Sequence, residues 1–482
     1  MTKKVKNQVG KTALKKSEFR APIVVVLGHV DHGKTTLLDK IRNTNVQGKE
    51  AGGITQGIGA SVVTTSESKK ITFIDTPGHA AFANMRSQGA KVADIAILVV
   101  AADDGVKPQT KEALEYILVA KIPFIVAITK MDLQTASLDK VKGELGREQI
   151  FFEGSGGDVP LISVSSKTGK GINELLEMTT LVSELNEIGK IDEGDAKLLE
   201  AVVIETGKDR RGPFTSVVVR KGEINVGDEI VTETVKAKVR ALFDFRGKSV
   251  KQVSAGVPVQ ILGFSDLPTV GSRVWHAKDG ASILQINKKR QLQKNVKENE
   301  LPVVIKASNA GSLEATLANL PESVAVINSS VGEINESDVF VAKSAGADIF
   351  AFESKASSGV KKLAATEGVE IHTFKIIYEL FEKLEKIIEE GKVKILGKAK
   401  VLEIFPYNKR KVAGCKVTEG TVRSSEKIIL MRNEKELGEV KITSFKKGKE
   451  VIKQAIQGEE CGIIFTPQLE FEVGDVLLSV RK

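Results

Sequence analysis

The sequence predicts a multidomain chain of α/β and β parts: an α/β domain on a parallel-type sheet, a β-barrel, an α/β/α domain, a long linker helix and a second β-barrel. Three observations predict this. Val- and Ile-rich runs alternate with helical patterns over residues 21–190, as in a parallel sheet covered on both faces. Two later stretches, 196–285 and 392–482, hold short alternating strands broken by Gly, Pro and Asp, as small barrels do. Those two stretches also match each other in order, as a duplicated unit would.

Composition sets the limits. The 482 residues suggest three or four domains at roughly 150 residues each. With 41% hydrophobic and 28% charged residues the chain reads as globular. No apolar run approaches the ~18 residues of a membrane span, so no membrane partner is expected. Two cysteines, Cys415 and Cys461, exclude a disulfide scaffold and fit a reducing, cytoplasmic setting. The net charge of +9 points to a polyanionic partner, nucleic acid before membrane. At 5% aromatics, base stacking is not the expected binding mode.

The elements follow in order. Residues 1–20 hold seven Lys or Arg and little apolar content, and are expected to form a disordered basic arm. Buried-strand runs fall at 22–27, 71–74, 95–100, 124–128 and 161–164, within a domain at 21–190. Alternating strands at 215–220, 229–232 and 238–242 mark the first barrel, 196–285. A Lys-rich segment, 287–300, reads as a linker or an exposed helix. Strand–helix alternation returns over 300–374 as an α/β/α unit. Ile376, Ile377, Leu380, Leu384, Ile387 and Ile388 recur at helical spacing, which predicts a connecting helix at 375–391. The terminal barrel at 392–482 repeats the first: Thr215 to Gly222 matches Ala413 to Gly420 at an offset of 198, and Val270-Gly271 matches Val473-Gly474.

Four short motifs carry the chemistry of the first domain, each at the end of a predicted strand. GHVDHGKT at 28–35 fits G-x-x-x-x-G-K-[ST] between an apolar strand and a helix, the setting of a P-loop. Its backbone N–H groups, from Asp31, His32, Gly33, Lys34, Thr35 and Thr36, are expected to cradle phosphate. Lys34 is expected to reach the β and γ phosphates, and the Thr35 hydroxyl to coordinate Mg²⁺. DTPGH at 75–79 offers Asp75 to Mg²⁺ and the Gly78 N–H to the γ-phosphate. TKMD at 129–132 (Thr129, Lys130, Asp132) places an aspartate able to accept both N1–H and N2–H₂ of guanine, a pattern adenine lacks. SSK at 165–167 (Ser165, Ser166, Lys167) offers a backbone N–H to guanine O6. Together they predict a P-loop GTPase domain using GTP/GDP and Mg²⁺.

These motifs, with GGITQGIGA at 52–60, resemble the translational GTPases and, specifically, bacterial-type translation initiation factor 2. The resemblance runs on through RRGP at 210–213, AGSLEA at 310–315, IIY at 376–378, AGC at 413–415 and ECG at 460–462. It covers about residues 20 to 482, without the long N-terminal region of many family members. By resemblance, Thr55 is the switch threonine on Mg²⁺, Val30 and Ile54 are the apolar gate beside the attacking water, and His79 positions that water. The chain departs from the family where Thr129 replaces Asn, Ser166 replaces Ala and Gly57 replaces His.

The resemblance also implies that the terminal barrel holds the formylmethionyl end of initiator tRNA through Cys415, Lys446, Lys447, Glu460 and Cys461. Cysteine side chains suit an apolar wall, and lysines can meet acceptor-end phosphates. Lys447 stands where the family carries Arg. Two cysteines without a CxxC or a nearby His make a zinc site the weaker reading. The implied function is a ribosome-dependent GTPase that works as a monomer with the 30S and 50S ribosomal subunits, ribosomal RNA and formylmethionyl initiator tRNA. Two alternatives stand beside it. An elongation-type GTPase fits poorly with the α/β/α unit. A nucleotide-regulated RNA-binding scaffold fits poorly with His79 and the intact Mg²⁺ positions.

Overall fold

The computed structural model describes residues 19–44, 55–191, 198–280, 300–391, 394–407, 410–424, 426–433, 435–448 and 450–481. Residues 1–18 of the expected basic arm, Ile54, and the Lys-rich segment up to residue 299 lie outside the described residues. The chain divides into two compact units, Met1–Leu380 and Phe381–Lys482.

The first unit begins with a six-stranded sheet. Its strands are β1 (Ile23–Gly28), β2 (Gly59–Thr64), β3 (Lys70–Asp75), β4 (Ile95–Ala101), β5 (Phe124–Thr129) and β6 (Leu161–Ser163). Their order is β2-β3-β1-β4-β5-β6, all parallel except the edge strand β2. Every residue of β1 and β4 is buried, and each buried Val or Ile contributes roughly 1.5–3 kcal/mol. This burial explains the unbroken apolar runs and places the polar motifs where each strand ends.

The first barrel follows: β7 (Glu200–Asp209), β8 (Gly212–Lys221), β9 (Glu223–Asn225), β10 (Glu229–Val231), β11 (Lys236–Phe243), β12 (Ser249–Val250), β13 (Gln252–Ser254), β14 (Pro258–Phe264) and β15 (Arg273–His276). The order β10-β15-β7-β8-β14-β11 closes through a β10–β11 pairing. The α/β/α unit is a parallel sheet of β16 (Leu301–Ala307), β17 (Val324–Val331), β18 (Asp348–Phe352) and β19 (Ile371–Phe374), ordered β17-β16-β18-β19. The expected connecting helix spans Ile377–Gly391.

The second unit is the terminal barrel: β20 (Lys394–Tyr407), β21 (Arg410–Arg423), β22 (Lys427–Arg432), β23 (Lys435–Lys447), β24 (Glu450–Val451), β25 (Gln454–Ile456), β26 (Glu460–Thr466) and β27 (Val476–Arg481). Its order, β22-β27-β20-β21-β26-β23 closed by β22–β23, reproduces the first barrel strand for strand. The copies agree in detail. Both first strands carry a register shift at one equivalent place, between Val203 and Glu205 and between Val401 and Glu403. The Val203 amide donates to the Ser272 carbonyl as the Val401 amide does to the Asp475 carbonyl. Gly222 (φ 67°) and Gly420 (φ 62°) make the same left-handed turn, each closed against a backbone carbonyl, Leu198 or Leu396. A side chain there would clash in both, which explains why those glycines align in sequence.

Candidate nucleotide site and the terminal-barrel cavity

A cavity of about 290 Å³ lies where the P-loop, the 75–79 segment and the two base-side motifs meet. Lys34 is buried and donates to the His29 carbonyl at 2.6 Å. Burial pulls its ammonium down to about 8, against the Asp75 and Asp31 carboxylates, which raise it. Gly78 permits the close approach: a Cβ there would stand 2.2 Å from Lys34 Nζ and 3.2 Å from the Val30 nitrogen. Gly33 caps the helix Lys34–Arg42, whose N-terminal amides favour an anion. Asp31, Thr36 and Val30 also line the cavity, and the Val30 amide donates to Gln109 Oε1 at 3.1 Å.

Of the expected Mg²⁺ ligands, Thr35 and Thr55 line the cavity, and Asp75 does not. The Thr35 and Thr55 hydroxyls are 2.7 Å apart. Asp75 is buried and its Oδ1 has no hydrogen-bond partner among the described residues. Burial pushes its carboxyl up to about 6, with Arg42 and Lys34 opposing. Two hydroxyl oxygens and an orphaned carboxylate oxygen fit a hard, oxygen-seeking cation.

At the base end, Asp132, Ser166 and Lys167 line the cavity. Ser165 does not. Its hydroxyl donates to Asp132 Oδ1 at 2.7 Å, which holds that carboxyl below its usual range, and its amide donates to the Lys170 carbonyl. Lys130 Nζ faces Asp103 at 3.4 Å. The Thr129 hydroxyl donates to the His32 carbonyl at 2.6 Å. Its proton is therefore spent on tying the P-loop to β5. The His32 imidazole also turns away from the cavity. It is fully buried, 3.4 Å from both the Val99 carbonyl and Asp104, and burial with His29 lowers it to about 4, so it is neutral. Only the His32 backbone is left to serve a phosphate.

His79 lines the cavity and is half-buried. Burial, then Arg86 and His29, lower its pKa, which keeps the imidazole neutral. Its ring meets Tyr378 edge-on, centroids 4.3 Å apart, with the Tyr378 hydroxyl hydrogen-bonded to the ring. Sequence reasoning assigned no role to several groups that hold these loops. Arg86, fully buried, grips Glu112 through two bonds of 2.9 and 2.8 Å and donates to the Pro77 and His79 carbonyls. Gln56 Nε2 donates to the Lys375 carbonyl at 2.8 Å, and its Oε1 accepts from the Ile377 amide at 3.4 Å. Both partners lie where the helix Ile377–Gly391 starts, far off in sequence, and nothing local marks them.

The terminal barrel carries a cavity of about 720 Å³. Cys415, Lys446, Glu460 and Cys461 border it, but Lys447 does not: its ammonium pairs with Glu459 at 2.6 Å. Cys415 and Cys461 stand opposite each other on β21 and β26, both buried in the barrel core. Alternation along the strands puts their neighbours Gly414 and Gly462, also opposite each other, on the other face. The cavity is therefore floored by two glycines and walled by Leu402, Phe405, Val412 and Ile464. Cys415 and Cys461 thus line the cavity while their side chains pack into the barrel core beneath that floor. Burial pushes the Cys461 thiol up to about 11 and Cys415 higher still, so both are protonated.

With this geometry in hand, relatives can be placed. Residues 20–185 match the family model described as Elongation factor Tu GTP binding domain, 198–277 match Elongation factor G domain 2, and 277–385 match Translation-initiation factor 2. The chain is 40% identical to Translation initiation factor IF-2 of Rhodopseudomonas palustris, over 96% of this chain and 56% of that one. It is 39% identical to the protein of the same name from Desulforamulus reducens, over 95% and 50%. The chain thus spans about half the length of the curated relatives it matches. Among solved structures it is similar to GDP-bound aIF5B from Aeropyrum pernix, at 28% identity and a TM-score of 0.46, covering 96% of this chain and 92% of that one.

Proposed function

Residues 20–185 being an elongation-factor-Tu-type GTP-binding domain and residues 277–385 a translation-initiation-factor-2 domain, in a chain homologous to IF-2 along 96% of its length, we propose that this protein is a ribosome-stimulated GTPase of translation initiation. It binds formylmethionyl initiator tRNA through the terminal barrel, acts in the cytoplasm as a monomer with the 30S and 50S subunits and ribosomal RNA, and promotes subunit joining. The observation that carries this reading is one cavity bordered by Lys34, Thr35, Thr55, Gly78, His79 and Asp132.

Phosphoryl transfer needs positioning and charge neutralisation more than covalent help. Lys34 and the P-loop amides hold the phosphates. Thr35, Thr55 and Asp75 hold Mg²⁺, which when bound neutralises phosphate charge. Asp132, oriented by Ser165, accepts from guanine. His79, neutral, accepts a hydrogen bond from the attacking water, with Val30 beside it on the cavity wall. In the terminal barrel the glycine floor admits a blocked amino acid, and Glu460 and Lys446 stand at its edge. A charged ammonium would lose hydration there, which favours the formylated end. The elongation-type reading is weaker because the domain after the first barrel matches the initiation-factor model.

GTP turnover measured with and without ribosomes tests the reading. Stimulation is expected; a ribosome-independent rate would favour the RNA-binding scaffold. Filter binding of formylated against unformylated initiator tRNA tests the second site.

A further inference from the structure

The α/β/α unit holds a second set of ligating side chains that the nucleotide and tRNA readings do not use. Asp348 opens β18, and Glu370 and His372 flank the first residue of β19. These strands pair in parallel, Ile349 opposite Ile371, which brings the three residues to one end of the sheet edge. The Glu370 amide donates to Asp348 Oδ1 at 3.2 Å. His372 Nε2 lies 3.4 Å from Glu370 Oε2 and 3.9 Å from Asp348 Oδ2, and one ligand atom from each residue lies within 4.8 Å of the others. The imidazole leans on Phe350, ring centroids 4.7 Å apart, which fixes its direction. Its Nε2 is buried and has no hydrogen-bond partner among the described residues. The Glu370 side chain is 74% exposed, so the cluster opens to solvent on that side.

We propose that Asp348, Glu370 and His372 form a site for a divalent metal ion of the zinc type, which clips the edge strand β19 to β18 just before the helix Ile377–Gly391. One imidazole nitrogen and two carboxylate oxygens are a donor set zinc accepts, with water in the fourth position. Bonds of about 2.0–2.1 Å in a tetrahedron place ligand atoms about 3.3 Å apart, so closure needs only small side-chain shifts. The two carboxylates match the charge of the ion. The other such cluster among the described residues, His29, His32 and Asp104, is unsuited: Lys107 Nζ already sits 2.7 Å from Asp104, and Lys34 stands close by.

The test is calorimetric titration of the full chain with Zn²⁺, with excess Mg²⁺ present for the nucleotide-site oxygens. One tight equivalent is expected, with a visible d–d spectrum when Co²⁺ replaces Zn²⁺. Zn²⁺ should raise the melting temperature, and a chelator should reverse that. Glu370→Gln, at an exposed position that leaves the fold intact, and His372→Ala should each weaken binding about tenfold or more. The absence of a stoichiometric zinc equivalent in the wild-type chain, or binding unchanged by Glu370→Gln, overturns the proposal in favour of a plain histidine–carboxylate contact.

Discussion

In the first barrel, the face bearing Ile204, Glu205 and Gly207 is packed away: Ile204 and Glu205 meet Ile58, Met85 and Gly311 around a crevice of about 10 Å³, and Gly207 bridges to Asn309. In the terminal barrel the equivalent positions, 198 residues on, are Leu402, Glu403 and Phe405, and they line a cavity of about 720 Å³. Strand order, bulge and turn glycines are shared. What differs is a few side chains on one face. Ser216 and Gln260 face each other in the first copy where Gly414 and Gly462 do in the second. Beneath, the core pair Val217–Val259 becomes Cys415–Cys461. The same scaffold thus presents a packed face once and an open cavity once, because a few side chains change while the strand order and turns are kept.

Under the proposed function, nucleotide chemistry falls to the first unit and tRNA recognition to the second. The largest expected consequence of this division concerns His79→Ala. Losing a positioning group costs about 3–4 kcal/mol in the transition state, or ~10²–10³ in rate. Single-turnover hydrolysis on ribosomes should fall by that much, while GTP affinity and tRNA binding stay as they were. Unchanged hydrolysis would remove His79 from the mechanism. Next, Gly414→Ser with Gly462→Gln gives the second barrel the first barrel's outer pair. Filter binding of formylmethionyl-tRNA should weaken by about 10² (~3 kcal/mol), with GTP binding intact. Full tRNA affinity in that double variant would break the comparison.

A third consequence sharpens the docked face. Burial, with Glu353 adding, pushes the Glu205 carboxyl up to about 7 from 4.5. The unfolded chain therefore releases this proton at lower pH than the folded chain does. Stability falls as pH rises from about 4.5 to about 7, and the loss is complete above that, up to about 3 kcal/mol. Glu205→Gln should melt higher than wild type at pH 8, and the pH slope should flatten. Equal melting curves at pH 8 would mean the carboxyl is solvated. The smallest effect belongs to the core pair. Cys415→Val with Cys461→Val restores the first barrel's core, and volume-conserving swaps cost under about 1.5 kcal/mol. Binding should change only a few-fold, and a complete loss would give the thiols a direct part in binding.

Much of this was legible in the sequence, for identifiable reasons. The four strand-end motifs are local, so their convergence followed from the strand–helix pattern. The duplication was visible because the left-handed turns at Gly222 and Gly420 tolerate little else. The cavity floor was not visible. Which face Cys415 takes depends on register shifts between β20 and β21, at Lys398–Ala399 and Val401–Glu403, and a one-residue shift reverses every side chain beyond it. The pairing of Lys447 with Glu459 was hidden for a similar reason: it needs the strand register. Nor could sequence explain the departure at Gly57. A Cβ there would lie 3.4 Å from Glu205 Oε1, so the histidine of the family would face that carboxylate, and this chain leaves it without an imidazole.

The central claim is that the duplicated face became a self-sufficient ligand site in the second copy. The most direct measurement is filter binding of formylated and unformylated initiator tRNA to the second unit alone, residues 381–482, without nucleotide and across a salt series. The account predicts binding that prefers the formylated form, with a salt slope that Lys446→Ala lowers by about one unit and Lys447→Ala, already paired with Glu459, lowers less. Equal affinity for the two tRNA forms would contradict it.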